Sequence, residues 1–88
     1  MTRALAAADS MVSAGVGKLY PGAVLLVARD GRVLDERAFG SEQLYDYEGH
    51  RLAAPPTMHT ATMFDMASVT KVVATTTAVM LLVDRGQV

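Results

Sequence analysis

There is no cysteine and no tryptophan in these 88 residues, and only three prolines and two phenylalanines. Without cysteine, disulfides and thiolate metal sites are excluded, and nothing is learned about redox compartment. Charge is scarce as well: eight basic against nine acidic residues leave a net charge of −1. That balance provides no electrostatic footprint for nucleic acid or an anionic membrane surface, and the basic residues are scattered. A secretory leader pattern is also missing. "MTRALAAADSMVSAG" has Arg3 and many alanines, but Asp9 and Ser10 interrupt any apolar run. A cytoplasmic location is therefore the expectation.

Apolar material, in contrast, is plentiful. Hydrophobic residues make up 51% of the chain, and the mean hydropathy is +0.26. At 9.3 kDa the chain is at most one small domain. A domain of this size buries only about 60–65% of its unfolded surface, too little to hide so much apolar area. Part of the folded body is therefore expected to lie outside these residues.

The chain reads as an α+β arrangement of helix, hairpin, long loop and apolar helix. In residues 3–19, Leu5, Ala8, Val12, Val16 and Leu19 recur at spacings of three and four and predict a helix with one apolar stripe. Pro21-Gly22 ends it. "GVGK" at 15–18 is not a phosphate loop, because Leu19 follows Lys18 where serine or threonine is required. Residues 22–40 read as two strands joined at Asp30-Gly31, a pair suited to a type I′ turn. The first strand is apolar on both faces, as in a central covered strand, whereas the second carries Asp35, Glu36 and Arg37 and is more exposed. Residues 41–62 show no period and form a long loop. Its His50 and His59 lack the carboxylate or thiolate spacing of a metal site and read as solvated loop residues.

After a short extended entry at 63–67, a helix is expected over 69–85 with Gly86 as its stop. Valine, leucine and methionine surround it on nearly every side, which predicts burial in the middle of a larger body. At about 15 residues and with Lys71 inside it, the run is too short for a membrane span.

Lys71 is the only charge between Asp65 and Asp84. Ser68 precedes it by three positions. One reading makes Ser68 an N-cap, the commonest role for serine before a helical run. A capping box would then place Glu or Gln at position 71, but a lysine stands there, at the wrong end of the helix dipole for a cation. Dipole and apolar surroundings both favour the uncharged amine. A neutral amine one turn from a hydroxyl can take its proton, which turns a weak nucleophile into a competent one. Backbone N–H groups at the helix start lie beside the oxyanion that forms on attack. The rival reading is a small non-catalytic α+β interaction module in which Ser68 only caps a helix and Lys71 reaches out to solvent.

With these residues in view, the chain resembles the serine β-lactamase-related family, closest to class C β-lactamases, related esterases and penicillin-binding-protein-like hydrolases. The likeness rests on "YPGAVLLVARDGRVLDERAFG" (20–40), "MFDMASVTKVVATTTAVMLLVDRG" (63–86) and the helix before the first block. Within the second block, Phe64, Ala67, Ser68, Thr70 and Lys71 stand where that family has them. The resemblance implies that Ser68 is the acylated nucleophile, Lys71 its proton acceptor, and the Ser68 N–H one of two oxyanion donors. It implies an antiparallel sheet flanked by helices, with residues 1–88 as the N-terminal segment of that domain. The expected substrate is a small ester, amide or β-lactam, and no cofactor is required.

Two departures stand out. No Tyr-x-Asn or Ser-x-Asn follows Lys71, and no Lys-Thr-Gly or His-x-Gly occurs. The leaving-group proton donor and half the oxyanion hole are thus missing. The expectation is an incomplete, inactive fragment that needs the rest of its domain, or self-association, to cover its apolar surface.

Overall fold

The computed structural model describes residues 2–88. Helix α1 spans Thr2–Gly15, strand β1 Gly22–Arg29 and strand β2 Arg32–Gly40. A 3₁₀ turn at Ala67–Val69 then runs into a π-helical stretch, Lys71–Thr76, and helix α2, Thr77–Asp84. These elements are compatible with part of an α+β fold.

The two strands pair antiparallel, from Gly22 opposite Gly40 to Arg29 opposite Arg32. Asp30 and Gly31 stand at φ 52 and φ 76, the left-handed backbone that a type I′ turn needs at both positions. A bulge falls between Val27 and Ala28, where Val27 faces Asp35 but Ala28 faces Val33. Leu34 is therefore the extra residue, which bends β2 and adds twist. As expected, β2 is the more exposed strand. The covered central position expected for β1 is not found: the sheet has only two strands, and Leu26 is exposed.

The helical stripe holds only in part. Leu5, Ala8 and Val12 are half-buried, but α1 ends at Gly15, four residues short of the expected boundary. The chain there folds into a tight turn instead. The Lys18 and Leu19 N–H groups both bond the Gly15 carbonyl, and Gly17 N–H bonds Tyr20 C=O at 2.8 Å. Leu19 is thrown out to solvent. The Tyr20 hydroxyl returns to donate to the Val12 carbonyl at 2.5 Å, and Arg37 Nη1 meets Asp9 Oδ2 at 3.0 Å. These two contacts tie α1 to the strands that follow it.

Residues 41–62 are less shapeless than their sequence implies. Leu52 N–H bonds Leu44 C=O and Asp46 N–H bonds His50 C=O, closing a small excursion. At its base, Glu42 N–H bonds Pro56 C=O, and Met58 N–H bonds Gly40 C=O. Met58 is the one buried hydrophobic side chain among the described residues.

The apolar helix departs furthest from expectation. Every residue from Met63 to Val88 is exposed, so the burial expected for it is absent. Its apolar residues have no second layer to pack against here. The helical run is also longer than expected. Ala67–Asp84 covers 18 residues at a mean hydropathy of 1.4, which is long and apolar enough to cross a membrane. Length therefore does not exclude a span, contrary to the expectation from sequence. The core helix of a folded domain satisfies the same criterion.

The outline reflects this lack of cover. The radius of gyration is 17.7 Å, where a compact chain of this length has about 12 Å.

Candidate active site

Ser68 and Lys71 meet. Lys71 Nζ lies 2.9 Å from Ser68 Oγ. Local backbone geometry explains why. Ser68 sits inside the 3₁₀ turn and Lys71 opens the π-helical stretch that follows, so the two stand about one turn apart and within side-chain reach.

The capping role does not appear in the structure. The Ser68 hydroxyl bonds Lys71 and no backbone N–H, while the residue before the turn, Met66, makes no side-chain cap. Asp65 instead serves the backbone here, with Oδ1 accepting the Ala67 N–H at 2.8 Å. Ala67 itself stands at φ 44, in the left-handed region that crowds any residue with a Cβ. Among the described residues the N–H of Ser68 has no acceptor, which leaves it available to a ligand oxygen.

Beyond Lys71 the helix is widened. Thr76 Oγ1 donates to the Lys71 carbonyl at 3.0 Å, and Thr77 Oγ1 approaches the Val72 carbonyl at 3.4 Å. Single π-helical turns of this sort occur mostly inside α-helices and frequently beside functional sites.

The dry surroundings expected for Lys71 are not present, because the whole segment faces solvent. One open concavity lies against Lys18, Tyr20 and Tyr45, another against Asp9, Ser13 and Arg37, and neither reaches Ser68. The other loop candidates stay apart from the pair. His50 sits 3.6 Å from both Asp46 and Glu48, and Arg51 lies over the Tyr45 ring. Among the described residues no three His, Asp or Glu side chains converge as metal ligands.

Reading the sequence for chemistry assigned no role to Asp65 and named Ala67 only as a motif position. The available signal was Asp two residues before an N–H that opens a turn, the Asx pattern.

A serine hydroxyl and a lysine amine thus stand in contact three positions apart. The family model described as Beta-lactamase matches residues 8–88, so the chain belongs to the beta-lactamase family. Its relatives agree. It is 41% identical over 87 residues to an N-acetylmuramyl-L-alanine amidase of Bacillus subtilis (strain 168), covering 98% of this chain and 19% of that protein. It is 36% identical over 80 residues to a protein of Escherichia coli O157:H7 provisionally named a D-alanyl-D-alanine carboxypeptidase, covering 90% of this chain and 18% of that one. A Salmonella agona protein with the same provisional name matches at 36% over 81 residues, covering 91% of this chain and 18% of that protein. The chain thus spans about a fifth of the length of the curated relatives it matches. No solved structure matches it.

Proposed function

We propose that these residues form the nucleophile-bearing part of a serine hydrolase, with Ser68 attacking an acyl carbon and Lys71 taking its proton. The observation that carries this reading is the 2.9 Å contact between Nζ and Oγ. The same heavy-atom line serves both directions: an ammonium donates to the hydroxyl, and an uncharged amine accepts from it. In the attacking state the proton moves from Oγ to Nζ while Oγ bonds the carbonyl carbon. The carbonyl oxygen takes up the negative charge beside the free N–H of Ser68. Collapse expels the leaving group and leaves an ester on Ser68, and water then hydrolyses that ester.

The substrate proposed is an amide or peptide, in keeping with relatives named for amidase and carboxypeptidase activity. An ester or a β-lactam presents the same acyl carbon.

The second part of the reading is that this chain works as one portion of a larger β-lactamase-related domain and is inactive alone. The exposed apolar residues from Met63 to Val83 support it. So does the length of the curated relatives, of which this chain spans about a fifth.

The test is covalent labelling of the full-length protein with a fluorophosphonate or penicillin probe, followed by peptide mass mapping. The expected result is one adduct on Ser68, absent in Ser68→Ala and formed about 10²–10⁴-fold more slowly in Lys71→Ala, the usual range for loss of a general base. A folded wild-type protein that takes no label would end the proposal.

A further inference from the structure

Asp65 has no part in the acyl-transfer steps above, yet it holds the backbone beside the nucleophile. Its Oδ1 accepts the N–H of Ala67 at 2.8 Å. Ala67 is one of only two non-glycine residues described with positive φ, and the other, Asp30, belongs to a hairpin turn built for that conformation. A left-handed alanine is disfavoured by the crowding of its Cβ, and it persists only where its neighbours fix it.

Two bonds straddle Ala67. Asp65 Oδ1 holds its N–H from one side, and Val69 N–H closes on Met66 C=O at 2.9 Å across it. The bend at Ala67 turns the irregular chain at 63–66 into the 3₁₀ turn. That turn carries Ser68 and leads into the stretch that opens with Lys71. A small rotation there moves Oγ and the Ser68 N–H together, because both belong to the next residue.

We propose that Asp65 is a positioning residue: its carboxylate fixes the left-handed turn at Ala67 and thereby aims the Ser68 hydroxyl and N–H for acyl transfer. This rests on the nucleophile reading given above. Asp65 touches neither Oγ nor Nζ among the described contacts, so it acts through the backbone and moves no proton.

The experiment measures acylation of the full-length protein by a fluorophosphonate, separating the maximal labelling rate from the probe concentration at half-maximum. Asp65→Ala is expected to lower the maximal rate about ten- to a hundredfold, the scale of a misplaced reacting atom, and to leave the half-maximal concentration nearly unchanged. Asp65→Asn keeps an acceptor oxygen and retains most of the rate. Ala67→Gly alone is close to wild type. Adding it to Asp65→Ala restores the rate, since glycine adopts this turn unaided.

A chemical role for Asp65 would show the opposite pattern, with loss in Asp65→Asn and no rescue by glycine, and that result overturns the proposal. So does an Asp65→Ala protein that labels at the wild-type rate. Should Asp65→Ala fail to fold, Asp65→Asn and the rescued double variant carry the same comparison. Near-wild-type rates in both support the proposal, and loss in both refutes it. An unlabelled but folded wild type sinks this inference and the nucleophile reading together, whereas a labelled wild type indifferent to Asp65 sinks this inference alone.

Discussion

Produced as these 88 residues alone, the chain is expected to associate rather than fold as a monomer. Its accessible surface is 7159 Å². A compact protein of 9.3 kDa exposes about 5,000 Å². The surplus of roughly 2,200 Å² is larger than a standard protein–protein interface and lies in the range of obligate ones. Its richest part is known: Met63, Val72, Val73 and Met80 are each more than 60% exposed. If half the surplus is apolar, covering it at about 25 cal/mol per Å² gains up to ~27 kcal/mol. Association costs about 4–15 kcal/mol in lost translational and rotational freedom. Cover wins even after a generous discount for ordering side chains.

Sedimentation velocity across a concentration series reads this directly. The average mass should climb with concentration, the chain should bind a hydrophobic dye, and no sharp thermal transition should appear. Replacing Val72, Val73 and Met80 by lysine should lower the association of the 88-mer. In the full-length protein the same triple variant should be destabilised, since the larger domain proposed above covers this face. Opposite signs in the two settings are the signature of a core helix outside its core. A monomeric 88-mer with a single cooperative melt would refute the reasoning, and so would a triple variant that is neutral in both settings.

Further perturbations probe the described parts of the fold. Gly40 stands at φ 70, and an added Cβ would sit 2.5 Å from the Pro21 carbonyl oxygen and 2.6 Å from Val16 Cγ1. Gly40→Ala should therefore cost the full-length protein about 2–4 kcal/mol in chemical denaturation, against about 1 kcal/mol for Gly31→Ala, which meets open space. Equal costs at the two sites would refute the close approach of 16–21 to β2. The Asp35 carboxyl is held above its ordinary value of 3.8, first by its hydrogen bond with Asp9, then by desolvation and the Asp9 charge, with Arg37 opposing. Because the folded state holds this proton more tightly, its stabilising contribution is complete below pH 3.8 and fades as pH rises through the elevated value. Asp35→Asn should flatten that part of a melting-temperature profile, and an unchanged profile would show that the two carboxyls do not share a proton.

How far the sequence reveals this molecule depends on the range over which each feature is determined. The hairpin is legible because two residues, Asp30 and Gly31, decide its turn and the strands on either side only have to follow. The end of α1 is less so, since Gly15 and the Tyr20 hydroxyl compete with an apolar stripe that continues to Leu19, and only the folded turn decides between them. The approach of Lys71 to Ser68 is again local: the contact spans three positions, and the turn that carries Ser68 is braced by Asp65 from within the same segment. Dryness around Lys71 is of the other kind. It depends on what covers residues 63–83, and no periodicity within those residues can supply it. On the proposed reading the site divides physically into a contact encoded in one turn and an environment supplied by the rest of the domain. If so, the 88-mer should keep the Ser68–Lys71 geometry and lack the reactivity, and transfer of the segment into its complete domain should restore the reactivity without altering the geometry.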